Sequence, residues 1–463
     1  MKSYLSVLRL RDYRLLWSAS VLNLIGDGAT WTALSWLAIS KAGAGALSVL
    51  AICYTMPVIL GGAIVGPLLD RFSRRAVLIT DSVIRGVLVA SVPLVALVGD
   101  VALWQLYVVA GSYGLLKIVP LGAVPTIVPE LVPKEQLQPA AALETIAYGA
   151  AGFAGPAIGG LLIPVIGGEA VLALDAGSYL IFALAIAAIR TSLARPEPAP
   201  APAPQPGAAA GSAGKKAKSG SGNWGWGPVI ALLRADRVLL SITVGFALFN
   251  CAMGMLRVTN PWLAHNALPG GAHTLGLLLG AANGAGLIGS LIAGALKPSD
   301  RQMGRIGLLQ IFAGASLGLL LILKLPVVLI GLVLSDMLSA PMTVSSQVVR
   351  MVRIPAEVRG RTMTFMRTLM NSTSPAGAAV AGAMLAAGSY RPVVIIMTLV
   401  AAVPGLFMYL AYRKTSFAEE LGLNKSPEPE ASSEASSEAA PESSESSESS
   451  ESSEDAPKLA AKS

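Results

Sequence analysis

Carboxyl groups inside apolar stretches are the side chains best placed to do chemistry in this sequence. Asp27, Glu144, Asp175 and Asp336 each lie within a long apolar run. Such surroundings are costly for an ionised group, so carboxyls found there usually have a functional role or a partner. A carboxyl in a low-dielectric cavity can bind and release a proton, or it can hold a cationic group. We take Asp27 first, and then Glu144 and Asp336, as candidates for proton exchange or ligand binding.

Basic side chains occupy comparable positions, so the charges can neutralise one another. The cations within apolar runs are Arg85, Lys117, Arg257 and Arg367. Asp81 and Arg85 are four residues apart, which predicts a structural ion pair on one face of a helix. We interpret Asp175, Arg257 and Arg367 as pairing or interfacial residues.

The composition places these charges in a membrane. Of the 463 residues, 54% are hydrophobic and 13% are charged. A soluble domain carries about 25% charged residues. Few charges in so long a chain exclude a soluble enzyme, a fibrous protein and a disulfide-stapled secreted domain. The sequence is therefore predicted to lie in lipid.

Twelve apolar runs are each long enough to cross a bilayer as a helix. We number them as spans 1 to 12, and the first is interpreted as a retained helix rather than a cleaved signal peptide. The predicted spans are residues 15–39, 46–69, 76–98, 102–126, 139–163, 170–190, 238–262, 274–296, 304–323, 327–349, 362–386 and 391–412.

The basic residues between the spans predict the orientation. With the N-terminus inside, the inner segments hold 24 Lys and Arg residues and the outer loops hold three. Lys and Arg concentrate on the cytoplasmic side of membrane proteins. Both termini are therefore predicted to be cytoplasmic in a multi-pass protein of the cell membrane, with a bacterial inner membrane indicated.

Two segments of low complexity divide the chain. A Pro/Ala-rich and then Gly/Ser-rich linker lies in a central loop over 191–237, between six-helix halves at 1–190 and 238–412. Residues 413–463 form an acidic Ser/Glu-rich tail, predicted to be disordered because it cannot bury a core. The tail carries a net charge of −9 from residue 418 onward, against +16 for the rest of the chain.

Aromatic residues at membrane depth are the candidate lining of a central cavity. They would suit an amphiphilic or cationic substrate through stacking and cation–π contacts. Trp31 and Trp36 fit packing or an interfacial belt equally well. The cavity candidates are Tyr54, Tyr113, Tyr148 and Phe249.

The loop after span 2 carries a recognisable motif. Residues 66–75 read GPLLDRFSRR, which resembles the signature loop of the major facilitator superfamily, with Ser73 in place of the usual Gly. In that family the loop latches the cytoplasmic side in the outward-open state. The resemblance assigns the latch to Gly66, Asp70, Arg71, Arg74 and Arg75. An alternative is that the arginines only anchor the topology.

Span 5 adds a second motif. Residues 155–160 read GPAIGG, which resembles the Gly-Pro-x-x-Gly-Gly motif of the superfamily's exporters and marks Gly155, Pro156, Gly159 and Gly160. Gly377 and Gly382 in span 11 repeat the spacing of Gly155 and Gly160. Further similarity lies in residues 10–17 and 23–28, in 129–137 before span 5 and in 354–361 before span 11. Together these stretches resemble the macrolide-efflux and enterobactin-exporter branch of drug:proton antiporters.

The resemblance implies an all-α bundle of twelve transmembrane helices in two halves. It implies proton-coupled export of a lipophilic or amphiphilic molecule of drug, macrolide or siderophore type, by alternating access. Lys117 lies where the family often has a basic residue linked to proton coupling. The expected partners are then a small-molecule substrate, protons and the lipid bilayer. The protein is expected to be a monomer. Alternatives are a uniporter or importer of a nutrient or ion, and a transporter-like sensor or scaffold.

Other chemistry has no support in the sequence. No phosphate-binding Gly-x-x-x-x-Gly-Lys-Ser/Thr loop is present, so we expect no direct use of ATP. With two His and two Cys residues we expect no metal site. No cofactor, nucleic-acid partner or enzymatic activity is predicted.

Overall fold

The computed structural model describes residues 2–191, 227–295, 301–355 and 358–415. Within these ranges it describes all side chains except those of residues 2–3, 58–71, 227–228, 295 and 360–361. The predicted linker between 192 and 226 and the predicted tail from 416 onward lie outside the described residues.

All regular elements in the described ranges are helices. The N-terminal half contains α1 (Lys2–Leu8), α2 (Arg11–Arg71), α3 (Arg74–Ala96), α4 (Leu103–Leu116), α5 (Ile118–Leu131), α6 (Leu137–Ile166) and α7 (Gly168–Ala188). The C-terminal half contains α8 (Gly227–Ala235), α9 (Arg237–Asn266), α10 (Gly271–Ala295), α11 (Gln302–Ser316), α12 (Leu325–Arg353), α13 (Arg359–Asn371), α14 (Thr373–Ala386) and α15 (Tyr390–Tyr412). Short α8 lies within the stretch predicted as the central loop.

Ten helices in the described part of the chain are long and apolar enough to cross a membrane. The count is below twelve for two local reasons. Helix α2 holds spans 1 and 2 as two arms, which turn at Ala42 and Gly43. Gly43 has a φ of +69°, which favours glycine because it has no Cβ.

Span 11 is divided into α13 and α14. Pro375 contributes to the interruption, because it has no backbone N–H to donate to the carbonyl of Asn371 four residues earlier. Next to the break, Thr373 Oγ1 donates to the carbonyl of Ala247 on α9, 2.5 Å away. All twelve predicted spans therefore fall on helices, and the all-α fold is confirmed.

The helices pack as two bundles. Helix α2 contacts α4, α6 and α7 in the first, and α9 contacts α14 and α15 in the second. The bundles meet mainly where α6 packs on α10 and where the second arm of α2 packs on α14. These two seams pair spans 5 and 8 and spans 2 and 11, as expected for halves related by an internal repeat.

Candidate functional site

Asp27 lies in a buried polar network between α2, α3 and α7. Tyr179 on α7 donates its hydroxyl hydrogen to Asp27 Oδ1 over 2.6 Å. Arg85 on α3 places Nη1 3.9 Å from the same oxygen and 3.4 Å from the Tyr179 hydroxyl. The Arg85 side chain is 1% exposed, so its charge must be neutralised within the protein.

Asp81 is the second carboxyl in this network. Its Oδ2 accepts from Arg85 Nε over 3.1 Å and also from Nη2. The ion pair expected from the four-residue spacing is therefore present, and Arg85 extends it to Asp27. Asp81 Oδ1 is buried and has no hydrogen-bond partner in the structure.

Asp175 on α7 is the third carboxyl. Thr30 Oγ1 donates to Asp175 Oδ2 over 2.6 Å, and Ser178 Oγ donates to Oδ1 over 2.9 Å. Asn23 Nδ2 supports the site by donating to Ser178 Oγ over 3.3 Å. The network therefore ties the first arm of α2 to α7 through hydroxyl groups.

A glycine permits this close approach. A Cβ at Gly26 would lie 2.8 Å from Ser178 Oγ and would also overlap Asp175. Real Cβ atoms do not come so near, so a side chain at this position would displace the Asp175 and Ser178 side chains. Gly26 thus leaves room for the hydrogen-bonded positions of these two residues.

The charges of the network do not balance when all groups are ionised. Asp27, Asp81 and Asp175 are 8%, 3% and 2% exposed. Among the described side chains Arg85 pairs with Asp27 and Asp81, and Lys117 lies within electrostatic range of Asp27. Uncompensated buried charge is strongly unfavourable. A proton bound at one of these carboxyls would reduce the excess of buried negative charge.

Tyr179, Thr30 and Ser178 were not singled out from the sequence. The sequence contains a pattern that indicates two of them. Asp175, Ser178 and Tyr179 are spaced as neighbours on one face of a helix, here α7. Asp175 was interpreted as a pairing or interfacial residue, and the structure adds two hydroxyl partners within the bundle.

The other candidate carboxyls lie apart from this network. Glu144 is half-buried on α6, close enough to Tyr148 for an electrostatic interaction. Asp336 is half-buried on α12 in the other half, where its Cβ lies near Gly286 of α10. Their roles in proton exchange stay predictions.

A second group of side chains, which we name the central cluster, joins the two halves. It consists of Trp31, Tyr54, Tyr113, Lys117 and Arg257. The rings of Trp31 and Tyr54 on α2 have centroids 4.7 Å apart, and Tyr113 on α4 stacks 5.5 Å from Tyr54. Lys117 lies at the junction of α4 and α5 and donates Nζ to the Tyr54 hydroxyl over 3.1 Å.

Arg257 reaches this cluster from α9 in the C-terminal half. Its guanidinium carbon lies 5.5 Å from the centroids of both the Trp31 and the Tyr54 ring. Lys117 Nζ lies 5.8 Å from the Tyr54 centroid and 6.0 Å from the Tyr113 centroid. Two cations from opposite halves therefore converge on the same aromatic ring.

The remaining cavity aromatics are placed differently. Tyr148 on α6 is 38% exposed, and Phe249 on α9 is 5% exposed and packs in the hydrophobic core. Trp36 lies near the end of the first arm of α2, with its ring centroid 5.3 Å from that of His265 on α9. A role in substrate contact stays a prediction for Tyr54, Tyr113, Tyr148 and Phe249.

The exporter-motif residues form two kinds of close helix contact. A Cβ at Gly155 would lie 2.6 Å from the Ile25 carbonyl oxygen, and one at Gly159 would lie 3.0 Å from Ala29 Cα. A Cβ at Gly160 would lie 2.5 Å from Gly276 Cα on α10. The motif therefore packs α6 against α2 in its own half and against α10 in the other half.

Pro156, the fourth residue of the motif, faces Gly28. A Cβ at Gly28 would lie 2.8 Å from Pro156 Cδ. Asp27 is thus flanked by two glycines, one packed on α7 and the other on α6.

Span 11 repeats this arrangement. The position of Gly377 is in close contact with the backbone of Cys251 on α9, and Gly382 packs against Ser48 on the second arm of α2. Ser48 Oγ donates to the Ala378 carbonyl over 2.8 Å. The first glycine thus contacts its own half and the last contacts the other, as in span 5.

Several contacts between the halves lie toward the end of the bundle opposite to the chain termini. Gly160 and Gly276 lie near the ends of α6 and α10 that are distant from Arg11 and Tyr412, and Ser48 and Trp36 lie on the same side. The described residues of the two halves are therefore in contact at that end, which we call the closed end.

The described arginines of the predicted latch contact the N-terminal half only. Arg75 Nη2 donates to the carbonyls of Ile189 and Thr191, after the end of α7, over 2.5 and 3.0 Å. Arg74 pairs with Glu130 and donates to the Thr126 carbonyl of α5. Arg75 thus satisfies carbonyl groups just after the end of α7.

The remaining latch residues are only partly described. The side chains of Asp70 and Arg71 lie outside the described part of the structure. The backbone of these two residues and of Gly66 belongs to α2. The latch role of the loop stays a prediction.

A family model described as transmembrane secretion effector matches residues 2–441 of the chain. The multidrug efflux pump Tap of Mycobacterium tuberculosis is 31% identical over 185 residues, which is 37% of this chain and 42% of Tap. The uncharacterized MFS-type transporter y4rN of Sinorhizobium fredii is 25% identical over 293 residues, 61% of this chain and 64% of y4rN. The alignment to Tap thus spans less than half of either protein.

Solved transporters share the fold. The nucleoside transporter NupG superposes with a TM-score of 0.64 at 13% identity, over 87% of this chain and 99% of NupG. A bacterial homologue of the iron transporter ferroportin in an inward-facing state gives 0.64 at 14% identity, over 88% and 99%. Family and fold are those of transporters rather than of enzymes. The chain belongs to the transmembrane secretion effector family of the major facilitator superfamily, and it is a multi-pass membrane transporter.

Proposed function

We propose that this protein exports an amphiphilic small molecule in exchange for protons, by alternating access between its two halves. The observation that carries the proposal is the buried network around Asp27, in which Asp27 and Asp81 share the Arg85 guanidinium while buried Asp175 is held by two hydroxyl groups. Such a network changes its charge by binding or releasing protons. The relationship to efflux pumps named Tap supports export.

The position of Asp27 gives a physical route from protonation to movement. Asp27 accepts from Tyr179 on α7 and faces Arg85 on α3, so adding a proton weakens its attraction to both. The flanking Gly26 and Gly28 pack against α7 and α6. A shift of α2 therefore acts on α6, and α6 carries the contact with α10 in the other half.

The proposed orientation assigns the two ends of the bundle to the two sides of the membrane. With both termini in the cytoplasm of a bacterial inner membrane, the closed end faces outward. The direction of transport is proposed from the relationship to the Tap efflux pumps. One chain supplies both halves of the central cluster, which supports a monomer as the transporting unit.

The test uses inside-out vesicles with an acidic interior and a pH-sensitive dye. A panel of dyes, macrolides, fluoroquinolones and siderophores is added, and release of protons on addition of a substrate is measured. We expect release with the natural protein and none with Asp27→Asn. Asp100→Asn, at an exposed position between α3 and α4, is the matched control.

Two results would contradict the proposal. Normal proton release by Asp27→Asn would show that this carboxyl is not the coupling site. Substrate flux that comes to equilibrium without any pH gradient would instead indicate a uniporter.

A further inference from the structure

We propose that Lys117 and Arg257 form an anion-binding subsite, so that the transported molecule carries a carboxylate or similar acidic oxygen group on an aromatic or apolar body. The inference rests on the proposed export function for the direction of transport, and it adds the substrate class. It departs from the sequence expectation, in which the aromatic residues alone suited an amphiphilic or cationic substrate.

The first argument is that these two cations lack carboxylate partners. The five ion pairs among the described side chains involve neither Lys117 nor Arg257. Lys117 has the Tyr54 hydroxyl as its hydrogen-bond acceptor, and the Nε of Arg257 is buried without any acceptor. A buried donor without an acceptor is costly, and a ligand with acceptor atoms would satisfy it.

The second argument concerns the nearest carboxyl. Asp27 lies within electrostatic range of Lys117. Its Oδ1, however, already accepts from Tyr179 and faces Arg85. One carboxylate carries a single negative charge, so Asp27 balances at most one of the two cations of the central cluster.

The third argument is that the aromatic faces are already occupied by cations. Arg257 lies over the rings of Trp31 and Tyr54, and Lys117 lies over the rings of Tyr54 and Tyr113. A cationic ligand would meet two like charges at the rings that should attract it. An anion would be bound by both cations, while its apolar body packs on the aromatic edges.

Such a ligand would also connect the halves. Lys117 belongs to the N-terminal half at the junction of α4 and α5, and Arg257 belongs to α9 in the C-terminal half. Both lie within 5.8 Å of the Tyr54 centroid. One anionic group held by both cations would therefore bind most tightly when the halves are close at this level, and its release would free them to separate.

The experiment measures binding to the full chain in nanodiscs of zwitterionic phosphatidylcholine, which contributes no anionic headgroup. Three probes share one apolar body: 4-hexylbenzoate, 4-hexylbenzamide and 4-hexylbenzyltrimethylammonium. Isothermal titration against empty nanodiscs gives each dissociation constant. We expect the benzoate to bind tighter than the benzamide by about tenfold to a hundredfold, because hydrogen bonds to charged groups are worth that much.

The variants assign the preference to the two cations. Arg257→Gln and Lys117→Gln should each reduce the ratio of benzoate to benzamide affinity toward one, and Arg257→Lys should retain most of it. Arg391→Gln and Lys41→Gln, at exposed positions on the closed end, should keep the full ratio. Arg257→Lys and the melting temperature of each variant separate loss of the site from loss of folding.

Several outcomes overturn the inference. These are tighter binding of the trimethylammonium probe, an unchanged ratio in both Gln variants, and absence of benzoate binding at millimolar concentration. Failure of the proposed function looks different. Benzoate preference in nanodiscs without proton release in vesicles would refute proton-coupled export and leave the anion subsite in place.

Discussion

The contact between Gly160 and Gly276 predicts that one methyl group shifts the conformational equilibrium of the transporter. In Gly160→Ala the added Cβ would lie 2.5 Å from Gly276 Cα, 2.8 Å from Gly276 N and 2.8 Å from the Ala272 carbonyl oxygen. All three atoms are backbone atoms, so no side chain can rotate away. The strain is relieved when α6 and α10 separate, which opens the end of the bundle opposite to the termini.

The size of the effect follows from the type of contact. Overpacking in a close-packed interior costs about 1–3 kcal/mol. The cost is confined to the closed state, so the ratio of open to closed molecules should rise by about 5- to 150-fold. The α2–α14 seam should open together with α6–α10, because the halves move as units.

The assay follows Ser48, which lies in that second seam and is 6% exposed. Ser48→Cys is introduced after Cys53 and Cys251 are replaced by alanine, and its labelling by a membrane-impermeant maleimide is timed. Labelling should accelerate in Gly160→Ala by the factor given above. Gly177→Ala on α7 is the matched control, because a Cβ there meets nothing within 4 Å.

One result would refute this reasoning. If Gly160→Ala labels at the rate of Gly177→Ala while both melt at the same temperature, the α6–α10 contact does not set the conformational equilibrium. Equal labelling with a lowered melting temperature would show that the strain is relieved within the N-terminal half, which also contradicts separation of the halves.

Three further predictions concern the stability of the N-terminal half in detergent. Arg85→Gln should destabilise it by about 3–5 kcal/mol, because it leaves buried carboxylates without a cation. The double variant Arg85→Gln with Asp81→Asn should recover part of this loss. Equal melting temperatures of the single and double variants would argue against the ion pair. Gly26→Ala should lower the free energy of unfolding by about 1–3 kcal/mol by overpacking α2 against α7, measured as a lowered melting temperature. An unchanged melting temperature would show that the contact between α2 and α7 accommodates the added methyl group. Arg75→Ala should lower the free energy of unfolding by about 0.5–2 kcal/mol, because hydrogen bonds to the carboxyl end of α7 are lost. The change should appear as faster amide hydrogen exchange at residues 186–189. Unchanged exchange there would contradict the role of Arg75 in holding the end of α7.

The architecture was predictable from the sequence because lipid imposes a simple constraint. Backbone groups in a bilayer must bond within their own helix, so apolar length alone marks a span. All twelve predicted spans fall on helices, and the family named from the motifs in 66–75 and 155–160 is confirmed. The interruption of span 11 before Pro375 was missed, because an apolar run does not register a local break.

The sequence also placed Asp27, Glu144 and Asp336 at membrane depth, but it could not tell which of them have partners. Depth follows from position along a helix, whereas contact depends on helix rotation and on which helices adjoin. Only the tertiary structure joins Asp27 to Tyr179, which is 152 residues away in the chain. Likewise, only the packing of the two halves brings Arg257 and Lys117 to one aromatic ring, and that convergence carries the inference about substrate charge.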